Sequence, residues 1–192
     1  EQDKNLKLAL YNTGLLYELR GDETQARQFY ELAGSQGLGD GWVNLGLMAL
    51  SKGDRGQAES LFNRALSVEP LNGRAHLNLA LFSKERKEFE RAMASVRNAL
   101  KEDSTNADAY DVLAQIYYDL GRFKLAALVA DAGLSTLGPE HSGLWTTQGL
   151  IQLKMDDVIK AVRSFQKAIE LDRDNFAARF NLGLITFGYR DY

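Results

Sequence analysis

The chain has 192 residues, of which 45% are hydrophobic and 26% are charged, and its formal net charge is −3. This length suits one domain or two small ones with a sizeable core, while the negative charge excludes a sequence-independent, charge-driven grip on nucleic acid. The absence of cysteine excludes disulfides, thiolate nucleophiles and cysteine-ligated zinc, and no apolar run approaches the length of about 18 residues that marks a membrane-spanning helix.

Helical segments are predicted to follow one another along the chain, because Pro70 and Pro139 are its only prolines. A leucine followed by a small residue recurs every 34 residues, as Leu45-Gly46, Leu79-Ala80 and Leu113-Ala114. An alanine recurs at the same spacing in the second half of each segment, as Ala58, Ala92 and Ala126. This fixed period predicts repeated helix pairs.

The repeat phase extends towards both ends of the chain, where Ala26 and Ala161 continue the alanine series. The predicted repeats, numbered one to five, cover residues 7–38, 39–72, 73–106, 107–141 and 142–175. Residues 176–192 form the first helix of a sixth repeat. Within each repeat the small residue of the first helix and the alanine of the second let two antiparallel helices approach closely, and Gly53 and Gly121 suit the turns between them.

Repeat two carries a phased set of large and small residues: Trp42, Leu45, Gly46, Ala58, Phe62, Ala65 and Pro70. This set resembles the tetratricopeptide repeat family at positions 4, 7, 8, 20, 24, 27 and 32 of its motif, and the resemblance covers nearly the whole chain. It implies an all-α fold: a right-handed α-solenoid of stacked antiparallel helix pairs, five repeats plus one helix, forming one superhelical domain over residues 1–192. Gln148 and Arg179 depart from the motif, which expects leucine and a large residue there.

The stretch Gly34–Trp42, "GSQGLGDGW", is the one candidate for a phosphate-binding loop. It lacks the G-x-G-x-x-G spacing and the preceding strand of a dinucleotide-binding turn, and it lacks a P-loop lysine. Its place between repeats one and two predicts a shortened linker in which glycines adopt left-handed conformations. "FYELAGSQG" also resembles the end of a Sel1-like repeat, at this one junction.

No arrangement of residues indicates catalysis. His76 occupies a packing position, His141 lies in a loop between repeats, and no nucleophile or metalloprotease motif occurs. Asp156 and Asp157 are expected to cap the helix that follows them. The sequence therefore predicts no enzyme, no catalytic residue, no cofactor and no metal site.

The family resemblance implies that the first helix of each repeat lines a concave groove. The partner-binding residues expected there are Tyr11, Asn12, Leu15, Val43, Asn44, Leu47, Leu77, Asn78, Leu81, Asp111, Gln115 and Tyr118. The groove is apolar in its N-terminal half and acidic near Asp108, Asp111 and Asp119. One motif position is occupied by asparagine in four repeats, as Asn12, Asn44, Asn78 and Asn181. In the family, an asparagine at this position often hydrogen-bonds the backbone of a bound peptide. The alternative explanation is that it is retained for packing or solubility.

The favoured function is a non-catalytic scaffold that binds an apolar helix or extended segment of another protein. The alternative is a structural module whose groove is filled by flanking segments or a second copy in a homo-oligomer. No nucleic acid is expected, because the basic residues of Ser83–Arg91 alternate with glutamates. No chaperone-tail binding is expected either, since the lysine and asparagine of the carboxylate-clamp motif are missing.

The last helix presents Phe180, Leu184 and Phe187, and we expect further repeat sequence or a partner to cover it. Glycine-aspartate turns and leucine-rich first helices resemble bacterial arrays, including envelope proteins that serve pilus or motility machines. The compartment stays open between the cytoplasm and the bacterial periplasm or envelope, and this resemblance favours the envelope.

Overall fold

A computed structural model describes residues 2–137 and 140–188, and this part of the chain folds into helices and turns without a strand. Its eleven helices are α1 (Gln2–Leu19), α2 (Glu23–Ser35), α3 (Gly39–Ser51), α4 (Arg55–Val68), α5 (Gly73–Glu85), α6 (Phe89–Glu102), α7 (Ala107–Asp119), α8 (Phe123–Leu137), α9 (Ser142–Lys154), α10 (Val158–Leu171) and α11 (Phe176–Gly188). The predicted all-α class is confirmed.

The chain divides into two compact units, an N-terminal unit (Glu1–Asp103) and a C-terminal unit (Ser104–Tyr192). In the N-terminal unit α1 pairs with α2, α3 with α4 and α5 with α6, and the pairs stack through α2 against α3 and α4 against α5. In the C-terminal unit α7 pairs with α8 and α9 with α10, α8 stacks against α9, and α11 packs on α10. Stacked helix pairs of this kind are the architecture of an α-solenoid, as the sequence predicts.

Short turns join the two helices of each pair. Gly53 adopts φ of +79°, a left-handed conformation that favours glycine. The next residue, Asp54, caps the N-terminus of α4 by accepting a hydrogen bond from the backbone N–H of Gln57. Asp157 caps α10 in the same way through the N–H of Lys160, so the capping role predicted for it is confirmed.

A glycine in the first helix faces an aromatic ring in the second helix of the same repeat. A Cβ atom added to Gly46 would lie 2.5 Å from the Phe62 ring, and one added to Gly149 would lie 2.6 Å from the Phe165 ring. Both rings are fully buried. The small residues predicted to allow close approach of the helices therefore do so, and the aromatic side chain fills the space that the glycine leaves.

The glycines between Gly34 and Trp42 lie where repeats one and two meet, but only one of them adopts the left-handed conformation predicted for this linker. Gly37 has φ of +83°, whereas Gly34 lies in α2 and Gly39 and Gly41 lie in α3. A Cβ atom on Gly34 would lie 2.5 Å from the Trp42 indole. One on Gly41 would collide with the backbone carbonyl oxygen of Tyr30 and lie 2.7 Å from the Gly34 nitrogen. The run thus forms a close contact between α2 and α3.

Helix α11 exposes a broad apolar face formed by Phe176, Phe180, Leu184 and Phe187. Gly183 is its counterpart of Gly46 and Gly149, and a Cβ atom added there would have no other atom within 4 Å. The described part of the chain therefore supplies the first helix of the sixth predicted repeat without an aromatic ring opposite its glycine.

Candidate protein-binding face

The sequence-predicted residues of the N-terminal unit lie on one helix of each pair. Tyr11, Asn12 and Leu15 are on α1, Val43, Asn44 and Leu47 on α3, and Leu77, Asn78 and Leu81 on α5. We call the surface formed by the accessible members of this set the first-helix face. Leu47 is 39% exposed and Asn12 is exposed, whereas Tyr11, Leu15, Asn78 and Leu81 are half-buried.

Three of these residues are buried. Val43 is fully buried in the core cluster that also holds Trp42 and Phe62, with Tyr11 and Leu15 packed against it. Asn44 and Leu77 are also buried. Leu15, Leu47 and Leu81 are the predicted aliphatic residues that keep accessible surface on this face, one from each repeat.

A polar network centred on Arg74 ties α1, α3 and α5 together. Its guanidinium donates hydrogen bonds to Tyr11 Oη at 3.2 Å, Asp40 Oδ1 at 3.1 Å and Asn44 Oδ1 at 2.8 Å. Asn44 Nδ2 also donates to Tyr11 Oη at 3.4 Å, and Asn72 Nδ2 donates to Asp40 Oδ1 at 3.2 Å. The network fixes the positions of the three helices along the face.

The residues around Arg74 favour the protonated, charged form of its guanidinium. Burial disfavours the charged guanidinium, but the Asp40 carboxylate and the Tyr11 hydroxyl outweigh it and raise the pKa of Arg74 above its ordinary value. The ion pair with Asp40 also occupies part of the hydrogen-bonding capacity of Arg74. Asp40 is a residue that sequence reasoning missed, because its role depends on the stacking of repeats two and three.

The asparagines that share a motif position form bonds within the chain. Asn44 belongs to the Arg74 network, Asn78 Nδ2 donates to the Arg74 carbonyl oxygen at 2.8 Å, and Asn181 Nδ2 donates to the Ala177 carbonyl oxygen at 2.8 Å. The last two are bonds to the preceding helical turn, which stabilise the orientation of the amide. These contacts support the packing explanation for this motif position.

In the C-terminal unit, Asp111, Gln115 and Tyr118 lie on α7 and are half-buried. Asp111 accepts hydrogen bonds from Gln115 Nε2 at 3.1 Å and from Thr147 Oγ1 of α9 at 2.5 Å. Burial raises the pKa of Asp111, although these two bonds oppose the shift. The ring of Tyr118 packs edge-on against Phe123, with centroids 5.5 Å apart.

Both histidines have structural contacts. His141 Nδ1 accepts the backbone N–H of Leu144 and caps α9, while its Nε2 lies 2.9 Å from Asp108 Oδ1. This pair lowers the pKa of Asp108 and raises the pKa of His141. His76 is buried, and its Nε2 lies 2.9 Å from the Pro70 carbonyl oxygen, as suits the packing position predicted for it.

Asp111 should make stability depend on pH. Because its pKa is raised above the ordinary 3.8, the folded state takes up a proton before the unfolded state does as the pH falls. The free energy of unfolding of the wild type should therefore rise relative to that of Asp111→Asn as the pH falls from neutrality towards 3.8. Urea unfolding of both proteins across this range measures the difference.

The exposed Asp174 provides the matched control. Asp174→Asn removes one carboxylate from an exposed position and so controls for the change in net charge. A constant difference between the wild type and Asp111→Asn across the range would contradict the prediction.

Within residues 2–137 and 140–188, no helix combines the length and hydropathy that crossing a bilayer requires. The same described residues contain no group of three or more His, Asp or Glu side chains placed to hold a metal ion.

The repeats predicted from the sequence match models of a known repeat family. A tetratricopeptide repeat model matches residues 43–107 and 84–141, and a second model of the same repeat matches residues 142–175. The chain belongs to the tetratricopeptide repeat family. The family membership and the α-solenoid fold predicted from the 34-residue period are thereby confirmed.

This tetratricopeptide repeat protein is similar to the type IV pilus assembly protein PilF of Pseudomonas aeruginosa. The two are 29% identical over 154 residues, which make up 80% of this chain and 61% of PilF. The solved structure of P. aeruginosa PilF matches with a TM-score of 0.68 at 28% identity, over 81% of this chain and 70% of that chain. The chain thus spans about three fifths of the full length of this relative.

Among the more distant relatives, two are named as parts of the anaphase-promoting complex and one is named as an enzyme. Anaphase-promoting complex subunit 3 of Schizosaccharomyces pombe is 24% identical over 72% of this chain and 21% of that protein. The solved Cut9–Hcn1 hetero-tetramer of that complex shares the fold, with a TM-score of 0.75 at 16% identity over 92% of this chain and 35% of that chain. Human protein O-mannosyl-transferase TMTC3 is 24% identical over 66% of this chain but only 14% of that protein. The repeats and the relatives from assemblies support a protein-interaction scaffold.

Proposed function

We propose that this chain is a non-catalytic scaffold that binds an apolar helix or extended segment of another protein on the first-helix face. The observation that carries the proposal is the row of accessible leucines, Leu15, Leu47 and Leu81, one on each first helix of the N-terminal unit. Accessible apolar side chains on successive repeats give a partner a periodic set of contacts. Asn12 and Tyr11 lie on α1, the helix that carries Leu15, and their polar groups can orient the backbone of the partner.

We also propose that the scaffold works within a larger multiprotein assembly. The similarity to PilF, named as a type IV pilus assembly protein, supports this role and points to pilus assembly as the first process to test. The anaphase-promoting complex relatives support the general role in assemblies.

The test is a crosslinking pull-down with Leu47→Glu/Leu81→Glu. Two accessible leucines of the face become charges, so capture of the partner should fall at least tenfold while the helical circular dichroism spectrum is kept. Mass spectrometry of the wild-type crosslinks should place the partner beside α1, α3 and α5.

Leu32→Glu is the matched control, because Leu32 is exposed on α2. It should capture the partner as the wild type does. Undiminished capture by the folded double variant would overturn the proposal, and light scattering that detects a dimer lost in the double variant would favour a second copy as the occupant of the face.

A further inference from the structure

The outer faces of the second helices differ from one another in a way that the fold does not require. Each of the five second helices carries the repeated alanine of the 34-residue pattern, which is buried. The residue immediately before this alanine is polar in four of the five helices: Gln25, Gln57, Arg91 and Lys160. The residue two after it is Gln28, Ser60, Ala94 or Arg163 in the same four helices. In α8 these positions hold Leu125 and Leu128, which are 43% and 65% exposed.

Helix α10 also departs from the pattern. The residue two before its buried alanine is Ile159, which is 69% exposed, where the other four second helices have Thr24, Gly56, Glu90 and Lys124. The turn before α10 adds Met155, which is also exposed. Because the other repeats fold with polar or small residues at these positions, packing within the repeat does not explain the apolar ones.

Three of these apolar residues, Leu125, Met155 and Ile159, line two cavities of the C-terminal unit. One, of about 610 Å³, is lined by Leu125 and Met155 together with Gly121, Arg122, Phe123 and Lys124. The other, of about 750 Å³, lies between α10 and α11 and includes Ile159, Val162, Arg163 and Ile185 in its lining. Both sites are open to the surface and lined mainly by apolar atoms, so apolar side chains of a partner can lie in them.

The charged residues that line the cavities are basic. Arg122, Lys124 and Arg163 are exposed, and the described residues that line the two cavities include no acidic side chain. The nearest acidic residues in sequence, Asp156 and Asp157, lie in the turn before α10, and Asp157 pairs with Lys160 at 2.7 Å. Positive charge at the rim of an apolar site favours a partner with acidic residues beside its apolar ones.

We propose that α8 and α10 form a second docking surface, separate from the first-helix face, which takes an apolar segment with acidic flanks from another protein. The apolar side chains of the bound segment insert into the two cavities, and the carboxylates of the segment pair with Arg122, Lys124 and Arg163. This surface gives the scaffold a second partner, or a second point of contact with the same assembly.

Two fluorescent peptides test the proposal by anisotropy: an amphipathic helix with a leucine stripe flanked by glutamates, and the same helix with lysines in their place. The wild type should bind the glutamate peptide at least tenfold more tightly than the lysine peptide, and added salt should narrow the difference. Arg122→Gln/Lys124→Gln should weaken binding of the glutamate peptide.

The matched variant is Leu125→Gln/Leu128→Ser, which introduces the residues that α4 carries at the same positions and so should remain folded. It should bind the glutamate peptide at least tenfold more weakly than the wild type, whereas Leu47→Glu/Leu81→Glu should bind it normally. Because the two double variants alter different surfaces, failure here is distinguishable from failure of the proposed function.

Three kinds of result would overturn the proposal. The first is equal binding of both peptides, or unchanged binding by Leu125→Gln/Leu128→Ser. The second is preferential binding to vesicles containing phosphatidylglycerol that this variant loses, which would assign the surface to a membrane. The third is a concentration-dependent dimer lost in the variant, which would assign it to a second copy.

Discussion

Gly41→Ala should lower the free energy of unfolding by about 2 kcal/mol, the order expected for forcing an extra methyl group into a packed site. The added Cβ would meet the backbone of α2, at the Tyr30 carbonyl oxygen and the Gly34 nitrogen. Backbone atoms cannot rotate away as a side chain can, so α2 and α3 would have to separate, which would also loosen Trp42 against Gly34. Urea denaturation of the wild type and the variant measures the loss.

Gly56→Ala is the control for this prediction. Gly56 also lies in a helix, α4, but the nearest atom to an added Cβ is Asp54 Oδ1 at 3.8 Å. Alanine is favoured over glycine in helices by about 1 kcal/mol, so Gly56→Ala should be neutral or stabilising. If the two variants changed stability equally, the close contact between α2 and α3 would not be the reason for the glycine at position 41.

Phe165→Ala should destabilise the protein by about 3–5 kcal/mol, the range for truncating a buried phenylalanine. The ring is fully buried in the cluster of Ala161, Ala168 and Ala178, against the α9 backbone at Gly149. Since Gly149 has no side chain to fill the space, removing the ring leaves a cavity between the two helices of the repeat. Thermal and urea unfolding measure the effect, and hydrogen exchange of α9 and α10 should rise first.

Phe187→Ala removes the same ring from a different environment. Phe187 is 71% exposed on α11, so its truncation should change stability by no more than about 0.5 kcal/mol. Comparable losses for the two phenylalanines would mean that the aromatic ring opposite the glycine does not hold the helix pair together.

The sequence predicted the fold because its repeat encodes contacts between residues close in the chain. Gly46 and Phe62 lie in one repeat, and the turn at Gly53 and the cap at Asp54 are local signals. The packing of Gly41 against the backbone of α2 was not predictable, because it depends on how one repeat approaches the next. The 34-residue period therefore located the helices and their facing residues. The role of the glycine-rich junction became clear only from the packing of repeat one against repeat two.

The candidate binding face was predictable only in part. Motif position placed Leu15, Leu47 and Leu81 on successive first helices, but it treated Val43 as equivalent to them, although Val43 is fully buried. Burial depends on the size of the neighbouring side chains, which a motif position does not specify. The partnership of Arg74 with Asp40 was missed for a related reason, because each residue is unremarkable within its own repeat.

The Arg74 network also bears on the thermodynamics of binding. It joins residues as far as 63 positions apart in the chain, and it holds α1, α3 and α5 together in the absence of a partner. A face fixed in this way loses little conformational entropy on association, so more of the contact energy remains as affinity. Loosening the network should therefore appear in calorimetry as a larger entropic penalty of binding, even where the leucines proposed to contact the partner are unchanged.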